Sequence, residues 1–137
     1  MIRALLDTNI ILDALFAREP FGEQAAIIWK AHEDEVFTGY LSAITPVNVF
    51  YIARKAIQQK QALRMMNDLM DTFEISPIDR QVLRSALKLD IKDFEDAVQI
   101  ASALADDLDF IITRDTTDFE KSPVQAISPV DFLKQLI

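Results

Sequence analysis

The sequence predicts an α/β fold in which a central parallel sheet of four to five strands carries helices on both faces. Short apolar runs alternate with longer segments whose apolar residues recur at helical spacing, which is typical of parallel sheets. Half of the 137 residues are apolar, enough for a substantial core. Because glycine and proline are scarce, long linkers are not expected, and residues 1–137 are predicted to form a single domain.

Five segments have the character of strands. The first is an apolar run that ends at Asp7, the second is rich in β-branched and aromatic residues, and the third stops at Pro77. The predicted strands cover residues 2–6, 35–43, 73–77, 109–115 and 123–128.

Seven segments between and after these strands have helical spacing. Thr8 or Asn9 could cap the first helix, and Thr45 and Ser128, each followed by proline, could cap the third and the last. The predicted helices cover residues 8–16, 23–34, 44–59, 61–72, 79–89, 93–108 and 129–137.

Composition narrows the functional classes. The net charge of −8 argues against a basic nucleic-acid-binding module, but not against a site that holds phosphate through divalent cations. The absence of cysteine excludes disulfides and thiolate metal sites and fits a cytoplasmic protein. No apolar run is long enough for a transmembrane helix, and no secretory signal is evident, so no membrane association is expected.

The single histidine, His32, lies among charged residues and is interpreted as a surface residue. A Ser-His-Asp site or a histidine-based zinc site is therefore not favoured.

Two acidic residues follow predicted strands directly. Asp7 and Asp115 would lie at the carboxyl edge of the sheet, where open α/β sheets bind ligands. Each could instead cap the helix or loop that follows it. Asp13 lies nearly two helical turns beyond Asp7 and is predicted to be on the surface.

The segment "DFEDAVQIASAL" carries a third acid of interest. Asp93 suits the first turn of a helix, whereas Asp96 lies at the edge of the apolar stripe. Glu95 is expected to point toward Ser102 and solvent. The stripe itself consists of Ala97, Ile100, Ala101 and Leu104.

Asp118 follows Asp115 by three residues and alone would be a turn residue. Carboxylates gathered from three segments would repel one another and shift their pKa values. Divalent cations relieve that repulsion, and ligands that are all oxygen favour Mg²⁺ or Mn²⁺ over zinc.

At this point the chain resembles the PIN-domain ribonucleases over essentially its whole length. The resemblance rests on the order and spacing of "LLDTNIILD", "DFEDAVQIASAL", "FIITRDTTDF" and "VQAISPVDFL". The segments "VNVFYIARK" and "DFEDAVQ" are most similar to the corresponding segments of the VapC-type toxins of toxin–antitoxin pairs.

The resemblance implies a PIN-like domain and a metal-dependent endoribonuclease. By position, Asp7, Asp96 and Asp115 match the metal-binding and catalytic acids, and Asp118 matches an additional acid. Asn9 matches a polar residue beside the first acid. The hydroxyl residue of the strand end is matched by Thr113, which would support a ligand.

One position departs from the pattern. Many family members have a glutamate early in the helix after the second strand, where this chain has Asn48. An amide can ligate Mg²⁺ but adds no charge and cannot act as a base. Glu95 could compensate for that charge, although its helical angle is less suitable.

Basic residues that could contact RNA are few. Arg54 and Lys55 belong to a cluster with Lys60 and Arg64, and Arg114 adjoins Asp115. Each of these basic residues could equally well lie on a solvated helix face without contacting RNA.

The resemblance also implies partners. A homodimer and a cognate antitoxin protein are expected, and an antitoxin arginine could bind against the acids. The run "MMNDLM" could pack an interface or simply fill the core.

Two other functions compete with RNA cleavage by metal-activated water. A catalytically weak or inactive PIN-fold scaffold is favoured by Asn48 and by the acidic composition. A phosphatase with Asp7 as nucleophile would need a second acid two residues on, where the chain has Asn9.

Overall fold

The computed structural model describes all residues, 1–137. The strands are β1 (Arg3–Leu6), β2 (Thr38–Ser42), β3 (Glu74–Ser76), β4 (Phe110–Ile112) and β5 (Ala126–Ile127). The helices are α1 (Thr8–Phe16), α2 (Gly22–Glu33), α3 (Ile44–Ala53), α4 (Gln59–Thr72), α5 (Arg80–Lys88), α6 (Phe94–Ala105) and α7 (Pro129–Gln135), with a 3₁₀ turn at Thr116–Phe119.

The five strands form one parallel sheet in the order β3-β2-β1-β4-β5. The central strand β1 pairs with β2 on one side and with β4 on the other, and Leu6 is in register with Ile112. Because all strands run the same way, their carboxyl ends share one edge. Asp7 extends this register, since its backbone N–H donates to the Ile112 carbonyl at 3.0 Å.

Strand alternation divides the core between the two faces of the sheet. Ala4 and Leu6 face a core that includes side chains of α1, α2, α3, α4 and α7. Leu5 faces the opposite core with Ile111 and Ile100, the last of which lies in α6. The predicted α/β fold with helices on both faces is thus confirmed. None of the helices combines the length and apolarity that crossing a bilayer requires.

Several sequence predictions of local structure were wrong. His32 is half-buried rather than on the surface, because its Nδ1 accepts from the Gly39 N–H at 2.9 Å and its ring stacks on Phe73. Leu104 does not continue the buried stripe of α6 and is 43% exposed.

Helix boundaries also differ from the prediction. Asp7 occupies the cap position of α1 without making a side-chain cap bond, so neither Thr8 nor Asn9 is the cap. Thr45 is not the cap of α3, because that helix begins at Ile44. The side chain of Thr45 is fully buried. α3 also ends at Ala53, well before residue 59.

Candidate functional site

The carboxyl edge of the central strands holds a small pocket whose walls are mainly acidic. Its volume is about 280 Å³. We call it the acid pocket, and its ten lining residues are Asp7, Thr8, Asn9, Ile52, Asp93, Glu95, Asp96, Asp115, Asp118 and Phe119. Six of these carry carboxylates and none is basic. The pocket therefore concentrates negative charge that no lining cation neutralises.

Asp7 is the buried centre of this arrangement, with only 5% of its surface exposed. Gln99 Nε2 donates to Asp7 Oδ1 at 3.0 Å, and Thr113 Oγ1 donates to Asp7 Oδ2 at 2.9 Å. Burial raises the pKa of Asp7 and the neighbouring Asp115 raises it further, while the bonds from Gln99 and Thr113 oppose the shift. Both oxygens of Asp7 are thus held in a fixed orientation.

Thr113 links two of the acids. While its hydroxyl donates to Asp7, the same oxygen accepts from the Asp115 N–H at 3.1 Å. The alcohol at the end of β4 therefore fixes the Asp7 carboxylate and the peptide of Asp115 together.

Asp96 lies on the first turn of α6, which the Asp93 side chain caps by accepting from the Asp96 N–H at 3.1 Å. Desolvation, together with the negative charges of Asp93, Asp7, Glu95 and Asp118, raises the pKa of Asp96 to about 7. The raised pKa of Asp96 thus reflects burial first and the surrounding negative charge second.

Glu95 is exposed to solvent, as predicted, but it lines the acid pocket and does not point toward Ser102. Thr8 Oγ1 donates to Glu95 Oε1 at 3.4 Å, whereas Ser102 is buried and bonded to Ser42. Residues 95 and 96, on the first turn of α6, both line the pocket together with Asp7 at the end of β1. The position of Glu95 could therefore not be predicted from its helical angle alone.

Asn48 lies behind Glu95 and does not line the pocket. Burial and the charges of Asp93 and Asp7 raise the pKa of Glu95, and the Thr8 hydroxyl and the Asn48 amide oppose the shift. Asn48 Nδ2 is buried and has no hydrogen-bond partner of good geometry. A carboxylate from α6 therefore stands next to the place where the family pattern puts one on α3.

The remaining predicted residues are divided between the pocket and its surroundings. Asp115, Asp118 and Asn9 all line the acid pocket, and both of these acids are exposed. Arg54 is exposed and donates to the Ile57 carbonyl at 2.8 Å, and Lys55 is also exposed. Neither basic residue lines the pocket.

Arg114 points inward, which differs from the predicted contact with RNA. Its Nε lies 3.1 Å from Asp13 Oδ2, and its guanidinium stacks on the Phe21 ring at 4.1 Å. Asp13, predicted to be on the surface, is fully buried, because this pairing compensates its charge.

Sequence reasoning missed Gln99 and the buried role of Asp13. Gln99 is the one amide inside the apolar run of α6 and is fully buried. Asp13 is the one charged residue of α1. A charged or amide residue with apolar neighbours on both sides in the chain was the available signal in both places.

A second cavity of about 830 Å³ adjoins the acid pocket and shares Asp93, Asp96 and Asp118 with it. Lys92 and Lys121 lie on its walls. Basic side chains thus occur beside the acidic centre, not within it.

The sequence matches the family model described as PIN domain over residues 3–117. The chain belongs to the PIN domain family. This confirms the resemblance noted in the sequence, although a comparison with curated proteins found no match.

Solved structures of other proteins share this fold. A chain of a toxin–antitoxin complex from Klebsiella pneumoniae is 32% identical, with a TM-score of 0.68, coverage of 92% of this chain and 97% of that chain. A chain of FitAcB from Neisseria gonorrhoeae is 27% identical, with a TM-score of 0.67 and coverage of 93% and 98%. A chain of VapBC-1 from nontypeable Haemophilus influenzae is 18% identical and shares the fold, with a TM-score of 0.71 and coverage of 94% and 99%.

Proposed function

We propose that this protein is a Mg²⁺-dependent endoribonuclease that cuts RNA phosphodiester bonds, and that it is the toxin of a toxin–antitoxin pair acting in the cytoplasm. The observation that carries the proposal is the acid pocket, where six carboxylates and no basic residue meet at the carboxyl edge of the sheet. Membership of the PIN domain family and the toxin–antitoxin relatives support the same function.

The donor set of the pocket fits Mg²⁺ or Mn²⁺, since it consists of oxygen atoms alone. Asp7, Asp96 and Asp115 would be the ligands, with Asp118 as an additional one. As they stand, no three acidic or histidine side chains converge closely enough to enclose an ion. Ion binding would therefore require acidic side chains of the pocket to move closer together.

Each residue around the proposed ion has a distinct task. A bound Mg²⁺ would lower the pKa of a coordinated water and offset the charge of the phosphate. Thr113 and Gln99 hold the two oxygens of Asp7, which limits the reorganisation that binding requires. Glu95 would supply the negative charge that Asn48 lacks.

The competing route, attack by the RNA 2′-hydroxyl, needs a general base such as histidine. His32 bonds to Gly39 and to the Thr72 carbonyl and lines no part of the acid pocket. We therefore expect products with a 5′-phosphate and a 3′-hydroxyl.

Incubation of the purified protein with RNA tests the proposal. Cleavage should require Mg²⁺ or Mn²⁺, stop with a chelator, and be lost in Asp7→Asn and Asp96→Asn. Asp68→Asn, at an exposed acid of α4, is the matched control and should cleave normally. Cleavage that survives both pocket substitutions would exclude the proposed site, and no cleavage by the wild type with Mn²⁺ would favour the inactive scaffold.

We further propose that the protein forms a homodimer and binds an antitoxin whose arginine enters the acid pocket. Exposed apolar side chains support an interface, since Leu83 and Leu87 of α5 are 41% and 71% exposed. Sedimentation should show a dimer that Leu87→Asp converts to a monomer. A monomeric wild type at high concentration would rule the dimer out.

A further inference from the structure

Beside the acid pocket lies a second charged arrangement, which we call the Asp13 network. Asp13 is fully buried in α1. Arg18 Nε lies 3.2 Å from Asp13 Oδ1, and Arg114 Nε lies 3.1 Å from Asp13 Oδ2. Arg114 Nη2 adds a third contact at 3.4 Å. One buried carboxylate thus binds guanidinium groups from two distant parts of the chain.

A tight turn after α1 brings Arg18 back over Asp13. Ala17 adopts a left-handed conformation with φ of 49°, and the Arg18 N–H donates to the Asp13 carbonyl at 3.1 Å. Gly22 packs so closely that a Cβ there would lie 2.7 Å from the Ala17 carbonyl carbon. Ala17 and Gly22 thus allow the tight turn between α1 and α2 that places Arg18 beside Asp13.

Each arginine is connected to a residue that lines the acid pocket. Arg18 Nη2 donates to Asn9 Oδ1 at 3.5 Å, and Asn9 lines the pocket. Arg114 precedes Asp115 in the chain, and Phe21 covers its guanidinium at 4.1 Å. Asp13 itself does not line the pocket, and its hydrogen-bonded and ion-paired connections to the site run through these two side chains.

We propose that Asp13 is a positioning residue of the nuclease site. By binding Arg114 it fixes the backbone that carries Asp115 and the following 3₁₀ turn with Asp118. By binding Arg18 it holds the amide of Asn9 at the rim of the pocket. This inference rests on the proposed function for its catalytic consequence, but the ordering of the loop can be measured without it.

The alternative is that the network only stabilises the fold. In that case its loss would loosen the molecule as a whole, and the segment with Asp115 would change no more than other regions do. A positioning role instead predicts a local effect. The amides to follow are those of Asp115, bonded to Thr113 Oγ1 at 3.1 Å, and of Asp118, bonded to the Asp115 carbonyl at 3.0 Å.

Amide hydrogen exchange of the full-length, metal-free protein separates the two. Asp13→Asn and Arg114→Gln should raise the exchange of residues 114–119 by about tenfold more than they raise the exchange of α4. Arg114→Lys keeps the charge but not the fork of the guanidinium, so its effect should be intermediate. Leu69→Ala is the matched control, because it removes a fully buried side chain from α4, which does not line the pocket.

If the Asp13→Asn and Leu69→Ala variants show the same pattern of exchange, the positioning role is excluded. Should Asp13→Asn fail to fold, Arg114→Lys and Arg18→Gln each retain one arginine on Asp13 and decide the question in the same way.

Affinity for Mn²⁺ then tests the consequence for the site. Loss of a group that orients a ligand costs about 10- to 100-fold in metal affinity, which is the expected effect of Asp13→Asn. RNA cleavage should fall through kcat with little change in KM. A wild type that neither binds Mn²⁺ nor cleaves RNA would overturn the proposed function, while the exchange result would still decide whether Asp13 orders the loop.

Discussion

The acid pocket and the Asp13 network lie side by side at the end of β1, and they manage negative charge in opposite ways. In the network, two guanidinium groups within 3.2 Å compensate one buried carboxylate. In the pocket, six carboxylates face one another with no basic side chain among them. The chain thus places two arginines beside Asp13 and none in the pocket with Asp7, which is the arrangement that the proposed cation site requires.

The pKa values express the same contrast. Asp96 has its pKa raised to about 7, because burial and four neighbouring carboxylates all disfavour its charged form. The pKa of Asp13 is also raised by burial, but there the charges of Arg114 and Arg18 oppose the shift, whereas no cation opposes it at Asp96. Cations of the chain itself thus oppose the charge of Asp13, and the acid pocket has none of its own.

The largest expected effect is on activity. Asp7→Asn removes the one acid whose two oxygens are both fixed, so cleavage should fall on the order of 10,000-fold, the smaller of the losses expected when a single member of a catalytic set is removed. Rates with RNA and Mg²⁺ measure this. A reduction of less than tenfold would mean that Asp7 is not a ligand.

Removal of Asp13 should also lower the stability of the whole fold. Asp13→Ala leaves two guanidinium groups without their partner, and we expect a loss of about 3 kcal/mol, the lower end for a broken buried pair because both arginines are partly exposed. Urea denaturation measures it. If Asp7→Asn destabilises the metal-free protein more than Asp13→Ala does, the contrast between the two regions is wrong.

The pH dependence of stability comes next in size. Because the folded pKa of Asp96 exceeds its unfolded value, the folded chain binds more protons between about pH 4 and 7, and stability falls as the pH rises through this window. After allowance for solvent screening, the loss is about 2 kcal/mol.

Thermal unfolding in chelator at pH 5 and pH 8 measures this loss. Asp96→Asn should remove most of the decline and should stabilise the metal-free protein at pH 8. An unchanged pH profile in that variant would show that the crowding at Asp96 is absent.

The smallest effect concerns the charge that Asn48 lacks. Glu95→Gln should weaken Mn²⁺ binding by about tenfold, as expected when one supporting carboxylate is lost. Adding Asn48→Glu to that variant should restore most of the affinity, since it returns the charge from α3. No recovery would mean that Glu95 does not stand in for the missing glutamate.

These two regions also show what the sequence could and could not predict. Asp7 and Asp115 were predictable, because parallel strands bring their carboxyl ends to one edge and an acid after an apolar run is conspicuous. Asp96 followed from its place beside the buried stripe of α6. The sheet and its helices followed from the alternation of apolar runs.

Asp13 was missed for a physical reason. A surface position was inferred for Asp13 from its distance beyond Asp7. Because α1 is buried on most sides, the number of helical turns does not distinguish its buried residues from its exposed ones. Its partners come from residues 18 and 114, and only the folded chain shows that they converge. Glu95 was misplaced similarly, because the first turn of α6 overhangs the sheet edge and exposes two adjacent residues to the pocket.

Calorimetric titration with Mn²⁺ measures whether the acid pocket binds a divalent cation. The wild type should bind Mn²⁺ at pH 8 with proton release that grows as the pH is lowered toward 7, and both Asp7→Asn and Asp96→Asn should abolish or severely weaken binding. Asp68→Asn should bind as the wild type does. Equal Mn²⁺ affinity in the wild type and both pocket variants would contradict the account.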